Sequence, residues 1–311
     1  MSSTLNKIRI GTRASKLALA QVAEVHLLLA DYLQNYQVEI VPITTSGDKI
    51  QDRNLSEIGG KALFVKELEE ALLQSKIDIA IHSAKDIPPI LHDQTTIAAF
   101  TQRLDARDCF LSKKFNSLKD LPQGSIVGTS SARRKAILLL LRPDLKIVNF
   151  RGNVDTRLNK IENEEVAASV LALCGLERLG KELLVKKIID KNVILPSGGQ
   201  GALAIQIRKS DQKNFELLQR INHLQTQLEI QCERAFLREL GASCSTPVGV
   251  HAVCEDEKIT LKTLILDYDG SQIFETNSSC KAEIQPALDL GIAAAQKTKK
   301  EAAELLKKIC K

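Results

Sequence analysis

No stretch of this sequence approaches the roughly 18 consecutive apolar residues that a membrane-spanning helix needs. The N-terminal run MSSTLNKIRIGTRAS turns polar within a few residues and lacks the apolar core of a secretory signal. The chain is therefore expected in the cytoplasm, without membrane contact. Cysteine pairs at metal-binding spacing are missing as well. The seven cysteines, at 109, 174, 232, 244, 254, 280 and 310, form no C-x-x-C, and their odd number in a large chain suggests neither a disulfide framework nor a metal site. A strong charge of one sign is also lacking. The 43 basic and 38 acidic residues leave a net +5, and aromatics make up only 4%, short of the basic, aromatic-interleaved surface of a nucleic-acid binder. No low-complexity stretch divides the chain, so its parts are expected to pack closely. Tryptophan is absent too, which excludes nothing.

What is present is globular composition: 44% hydrophobic and 26% charged residues over 311 positions, enough for two or three α/β domains. Hydrophobic spacing predicts a strand at 7–10, a long amphipathic helix over 15–30 and a strand at 38–43. A polar loop follows over 44–61, then a helix over 63–74 and a strand at 77–81. A second series starts after Arg103, with strands at 125–127, 146–149 and 167–171 and helices over 132–142 and 154–162. Strands alternating with helices argue for mostly parallel sheets. From about 222 the pattern changes to a helix over 226–240, short strands between 248 and 276, and one long helix over 284–309, an α+β arrangement.

The two series repeat one device. GTRASKLALAQ at 11–21 and GTSSARRKAIL at 128–138 both place Gly-Thr, small hydroxyl residues and arginine between a strand and a helix, where free backbone N–H groups favour an anion. This predicts two similar lobes whose anion-binding ends face a shared cleft. LPSGGQGALAIQIR at 195–208 pairs a glycine-rich turn with a short strand, placed to return the chain to the first lobe.

Three features carry candidate chemistry. In AIHSAKDIPP at 80–89, an apolar strand delivers His82, Ser83, Lys85 and Asp86 to its C-terminal end, where ligands bind in open α/β sheets. Pro88 and Pro89 forbid an immediate helix. Asp86 reads either as a catalytic acid or as a strand end paired to Lys85 or capping a turn. Arg13, Arg133, Arg134, Arg151, Arg157 and Arg178 recur at equivalent junctions. Each alone reads as a solvated charge. Together, if they converge without acidic partners, their repulsion has to be offset by an anionic ligand. In ERAFLRELGASCSTPVG at 233–249, Gly241 breaks a helix and Cys244 follows in a small-residue loop before Pro247. An exposed thiol near arginines would be a nucleophile; a buried one would be inert.

HSAKDIP, GTSSARR, FRGNVDTRL, GQGALAI and the ERAFLREL…C-x-T-P segment, in this order over nearly the whole chain, resemble the porphobilinogen deaminase (hydroxymethylbilane synthase) family. The resemblance implies an α/β fold of two periplasmic-binding-protein-like lobes with mixed, mostly parallel sheets, plus a small α+β C-terminal domain. Residues 1–102 and 200–222 would form the lobe with Asp86, 103–199 the arginine-rich lobe, and 223–311 the domain with the cofactor cysteine. It implies a transferase that joins four porphobilinogen molecules, with loss of ammonia, onto a dipyrromethane cofactor held by a thioether to Cys244, and then releases hydroxymethylbilane for tetrapyrrole, porphyrin and heme biosynthesis.

By the same resemblance Asp86 is the catalytic carboxylate. Ser83, Lys85, Asp86, Thr129, Ser131, Arg133, Arg134 and Arg157 hold the cofactor, with Ser130 adding a donor. Arg13, Ser15, Arg151, Arg157, Arg178, Gln200 and Phe64 face the substrate. No metal, nucleic acid, membrane or obligate protein partner is implied, and a monomer is. Two positions depart from the family pattern: Ala242-Ser243 replaces Gly-Gly before the cysteine, and Ala62 replaces a glycine of the lid segment 61–64. If the first of the paired glycines needs φ > 0, alanine strains the loop by about 1 kcal/mol. A non-catalytic dicarboxylate sensor would also explain the arginines, but neither the third domain nor Cys244.

Overall fold

A computed structural model describes residues 6–49, 64–243 and 245–309. Within them, 6–49, 64–103 and 202–227 form one compact unit, and 104–201 with 228–309 form another.

The first unit is built on a five-stranded sheet. Strand β1 (Asn6–Arg13) leads into helix α1 (Lys16–Leu29), β2 (Tyr36–Ile43), the single turn α2 (Ser46–Lys49), α3 (Lys66–Leu73), β3 (Ile79–Ser83) and β4 (Thr95–Phe100). Ser15 starts α1 as its N-cap, its Oγ accepting from Ala18 N–H at 3.2 Å. Apolar residues at Ala18, Val22, Val25 and Leu29 then turn one face of α1 onto the sheet, beside Ile8, Ile10, Ile79 and Ile81. Val22, Val25 and Leu29 each contribute about 1.5–3 kcal/mol by this burial. The polar stretch predicted as loop contains α2, because the Asp48 carboxylate accepts from both N–H and Oγ of Thr45 and closes a turn there.

The second unit opens with β5 (Asp108–Leu111) and β6 (Ile126–Gly128), followed by α4 (Ala132–Leu141), β7 (Lys146–Val148), α5 (Val154–Glu162), β8 (Ala168–Ala172), the short α6 (Leu173–Glu177) and the two-residue β9 (Lys187–Ile188). The chain then re-enters the first sheet as β10 (Leu203–Arg208), which lies antiparallel between β3 and β4. Helix α7 (Gln212–Gln219) follows.

The two sheets share one plan. Their orders are β2-β1-β3-β10-β4 and β7-β6-β8-β5-β9. In each, three parallel strands are followed by a reversed fourth (β10, β5) and an outer fifth antiparallel to that one. Both sheets are therefore mixed and mostly parallel, as the alternating pattern implied.

Helix α8 (Leu224–Leu240) leads to a three-stranded antiparallel sheet, β11 (Val248–Glu255), β12 (Lys258–Leu266) and β13 (Ile273–Lys281), and to helices α9 (Ile284–Glu301) and α10 (Ala303–Ile309). The strands are longer than their sequence pattern suggested, and the single predicted C-terminal helix is interrupted at Ala302. Phe236, Val250, Leu261, Ile265 and Ala295 form the core of this α+β part. Within the second unit it shares a further core with the arginine-bearing layer: Leu264 and Leu266 of β12 pack with Ile137 and Leu138 of α4 and with Val127 of β6. That shared core fixes α4, and hence the arginines at its start.

Candidate active site

In the first unit, β3 ends at Ser83 and the chain tightens into a 3-10 turn, Ala84–Asp86. The turn is held at its base by Ala84 N–H donating to Ala202 O at 3.0 Å and at its end by Ile87 N–H donating to Ala84 O at 3.4 Å. Extended backbone at Ile87 and the two prolines after it prevent the turn from growing into a helix. Lys85 and Asp86 are both half-buried. Ser83 Oγ accepts from the buried Gln21 side chain at 2.8 Å, which leaves the serine its own hydrogen to donate. Ser15 is occupied as the α1 cap.

His82 lies beneath this turn and is almost fully buried. Its Nε2 is 3.0 Å from Gln206 Oε1, while the Gln206 amide donates to Glu69 Oε1 at 2.7 Å and to Thr95 Oγ1 at 2.9 Å. Those two donations fix the Gln206 oxygen as the acceptor, so His82 carries its proton on Nε2. Burial, with Arg13 adding to it, pushes the imidazole down to about 4. His82 is neutral at physiological pH and braces the strand.

Arg13, the last residue of β1, is bonded to Asp48 through Nε (3.3 Å) and Nη2, and its guanidinium lies 4.2 Å over the Phe64 ring. Burial opposes the charge on Asp48, but Arg13 and Thr45 together hold the carboxyl below its usual range. The charge of Arg13 is thus balanced within its own unit.

In the second unit the hydroxyl residues of GTSSARR build the start of α4. Ser131 is the N-cap, with Arg134 N–H donating to its Oγ at 3.4 Å, and Thr129 Oγ1 accepts from Ser131 N–H at 3.2 Å. Ser130 Oγ bonds Asn149 Oδ1 at 2.5 Å and accepts from Phe150 N–H at 2.9 Å.

Arg133 and Arg134 then point inward onto Asp108, the first residue of β5, which is fully buried. Arg133 Nη2 (2.9 Å) and Arg134 Nε (3.2 Å) share Oδ2; Arg134 Nη2 (2.8 Å) and Gln200 Nε2 (2.8 Å) share Oδ1. Burial opposes ionisation of Asp108, yet the two guanidiniums hold it far below the usual carboxylate range. Arg133 Nη1 donates to Leu195 O at 2.6 Å, while Arg133 Nε is buried with no hydrogen-bond partner among the described residues. Three charges and one net positive charge are therefore enclosed with an orphaned donor.

The condition set from sequence, arginines converging without acidic partners, does not hold for Arg13, Arg133 or Arg134. Neither Asp48 nor Asp108 stands out by spacing. The one signal for Asp108 is an acidic residue opening the apolar strand DCFL, where a buried charge needs a partner.

Arg151, Arg157 and Arg178 are placed at the neighbouring strand and helix ends. Arg157 Nε donates to Gly152 O at 2.9 Å and Arg178 Nη2 to Gly201 O at 3.0 Å. Gly152, between Arg151 and the α5 cap Asn153, has φ +113°, and a Cβ there would lie 2.7 Å from the Thr156 methyl group. Gln200 is wholly buried; its amide donates to Ala106 O at 2.7 Å as well as to Asp108, so it braces the arginine pair.

Helix α8 ends in a Schellman turn: Ala242 N–H donates to Leu237 O at 3.1 Å, Gly241 N–H donates to Arg238 O at 3.2 Å, and Gly241 has φ +75°. The left-handed position thus falls on Gly241. Ala242 and Ser243 are not left-handed, so the strain that alanine would bring does not arise. Ser243 and Thr246 bond each other through backbone and side chains. Cys244, between them, lies outside the described residues, as do Ala62 and the rest of the predicted lid up to residue 63. Among the described residues no group of three or more His, Cys, Asp or Glu side chains is arranged to hold a metal ion, and no helix is long and apolar enough to cross a membrane.

Comparison with known proteins gives a consistent picture. Residues 8–216 match the family model "Porphobilinogen deaminase, dipyromethane cofactor binding domain", and residues 227–300 match "Porphobilinogen deaminase, C-terminal domain". A porphobilinogen deaminase of Nitrobacter hamburgensis is 46% identical over 298 residues, covering 95% of this chain and 93% of its own. One of Orientia tsutsugamushi is 46% identical over 295 residues, covering 94% and 98%. Among solved structures, the periplasmic aliphatic sulphonate binding protein of Escherichia coli aligns with 76% of this chain and 70% of its own at 15% identity, with a TM-score of 0.41.

Proposed function

Because the chain belongs to the porphobilinogen deaminase family, we propose that it is a hydroxymethylbilane synthase. It is a transferase that joins four porphobilinogen molecules in sequence and, by hydrolysis of the bond to the cofactor, releases hydroxymethylbilane with its hydroxyl taken from water, a step of tetrapyrrole biosynthesis. The geometry that carries this reading is the buried Arg133–Asp108–Arg134 cluster, with its excess positive charge and unpartnered Arg133 Nε. A cofactor made of two porphobilinogen units carries their carboxylates, and a carboxylate is the ligand such a cluster lacks. The residues present therefore fit dipyrromethane.

Cys244 is the anchor, through a thioether. Arg133, Arg134 and Arg157 hold carboxylates of the cofactor, and Ser83, Lys85, Thr129 and Ser131 add hydrogen bonds or shape the helix start that does so. When bound, the dipyrromethane supplies the free pyrrole carbon to which each new unit is joined. Each round forms one carbon–carbon bond, breaks one carbon–nitrogen bond and releases one ammonia. Asp86 is the catalytic carboxylate: on a rigid turn at the strand end it accepts hydrogen bonds from pyrrole N–H groups, stabilises positive charge that develops on the ring, and takes and returns a proton. Arg13, Arg151, Arg157 and Arg178 bind substrate carboxylates, with Ser15 at the neighbouring helix start, Phe64 against the guanidinium of Arg13, and Gln200 supporting from behind. Every added unit brings two further negative charges, so spreading arginines over several elements suits a growing polyanion.

The division into a discontinuous first lobe (1–102 and 200–222), a second lobe (103–199) and a C-terminal domain (223–311) belongs to the same reading, supported by the two sheets of like order and the separate three-stranded sheet. So do a monomeric state, a cytoplasmic location, a contribution to heme synthesis and independence from protein partners.

Intact-protein mass spectrometry of freshly expressed protein tests this reading. The wild type is expected to carry an increment equal to two linked pyrroles that Cys244→Ser lacks, and to release ammonia from porphobilinogen. A wild type without the increment and without ammonia release refutes the reading.

A further inference from the structure

Asp108 has no role in the chemistry described so far, yet it is a deeply committed ionisable group of the second unit. Its side chain is fully buried, and its two oxygens accept four hydrogen bonds, which exhausts the capacity of a carboxylate. Two of its partners are adjacent on the first turn of α4, where their guanidiniums would repel each other if unpaired. We propose that Asp108 is a positioning residue for the reaction: by bonding both guanidiniums at once it sets the angle between Arg133 and Arg134 and cancels one of their two charges, leaving a receptor for a single carboxylate. The proposal rests on the reading of these two arginines as carboxylate ligands.

The donor count supports this. Arg134 commits Nε and one Nη2 hydrogen to Asp108, so Nη1 takes no part in these bonds. Arg133 commits Nη1 to Leu195 O and Nη2 to Asp108, which leaves Nε. Without Asp108 both guanidiniums would be free to rotate toward other acceptors, and the pair would offer two charges in place of one. The carboxylate is itself held from behind. Gln200 fixes Oδ1 while also donating to Ala106 O at 2.7 Å. The turn bearing Gln200 is tied in turn to α8, since Gly199 N–H donates to Glu233 Oε2 at 2.6 Å, while Ala252 N–H of β11 holds the other Glu233 oxygen at 2.8 Å. Helix α8 and the arginine pair are thus linked by buried polar bonds on either side of the Gly199–Gln200 peptide.

Asp108→Asn and Asp108→Glu, purified alongside the wild type, test the proposal through the two-pyrrole mass increment, kcat and KM for porphobilinogen per loaded chain, and thermal unfolding. Asparagine accepts through one oxygen only and carries no charge, so at least one guanidinium bond is lost and neither arginine charge is cancelled. A charge-assisted bond lost at the ligand corresponds to about a tenfold change. Asp108→Asn is expected to cut the loaded fraction and, per loaded chain, to lower kcat about tenfold with KM for porphobilinogen little changed, because the two arginines hold the cofactor. Asp108→Glu keeps the charge and moves the carboxylate by one methylene. It is expected to recover most of the unfolding temperature but only part of the loading and kcat, a split that a purely structural role does not produce. If Asp108→Asn does not fold, Asp108→Glu carries the test by itself. Wild-type loading, kcat and KM in Asp108→Asn, or in Asp108→Glu, overturn the proposal. A wild type that lacks the mass increment refutes the parent reading instead, so the two failures are distinct.

Discussion

Replacing His82 by glutamine isolates the pH dependence of a single buried group. The imidazole sits at the base of the turn that presents Asp86, with burial pushing it from its ordinary 6.5 down to about 4. Between those values the unfolded chain binds a proton that the folded chain refuses, so stability is full above pH 6.5 and is lost as pH falls toward 4. At about 1.36 kcal/mol per pH step, the loss across the window is about 3 kcal/mol. The group is buried, so solvent screening does not reduce this figure materially. Glutamine keeps a donor for Gln206 Oε1 but has nothing to titrate. Urea unfolding followed by far-ultraviolet circular dichroism at pH steps from 4 to 8 gives the comparison, provided the slope m is unchanged between the two proteins. The wild type is expected to lose about 3 kcal/mol more than His82→Gln on going from pH 7 to pH 4, whatever uniform offset the substitution brings. Parallel curves for the two proteins refute the argument that His82 is buried neutral. Because a neutral His82 moves no proton between pH 6 and 8, the activity–pH profile of His82→Gln in that range is expected to match the wild type.

Three further outcomes follow from the geometry. Asp86→Ala, which removes a half-buried side chain from a turn held by backbone bonds, is expected to keep its circular dichroism spectrum and mass increment while losing on the order of 100-fold or more in kcat; turnover near wild type removes Asp86 from its central role. Gly152→Ala places a methyl group against Thr156 at a left-handed φ, costs about 1–2 kcal/mol of stability, and shifts the carbonyl that holds Arg157. KM for porphobilinogen is expected to rise more than kcat falls, and an unchanged KM counts against Arg157 as a carboxylate ligand. Gly241→Ala is expected to cost about 1 kcal/mol in thermal unfolding and to slow appearance of the mass increment, whereas Ala242→Gly changes neither by more than about 0.5 kcal/mol. A clear gain in loading from Ala242→Gly places the conformational demand at residue 242 after all.

Much of the architecture was legible in one dimension because it depends on local rules. The α1 helix follows from Ser15 as cap and apolar residues at 18, 22, 25 and 29, and the internal duplication follows from Gly-Thr and arginine recurring between a strand and a helix. Elements held by remote contacts were harder to read. The turn at 46–49 exists because Asp48 reaches Thr45 and Arg13, 35 residues earlier. The C-terminal strands run longer than their own alternation shows, because they pair along their whole length.

The candidate site divides in the same way. The sequence by itself determined the family, the residue types at each strand end, and the glycine that closes α8 ahead of Cys244, since all of these are matters of order and spacing. Only the tertiary structure decided which charges meet. Arg13 and Asp48, and Arg133, Arg134 and Asp108, come together across segments that no periodicity connects. Gln200 braces a carboxylate rather than standing open to a ligand, because the glycine-rich turn folds its amide into the core. Spacing along a chain reports which face a residue takes; the partner on that face is set by the packing of elements far apart in sequence, and so is the number of charges left for a substrate.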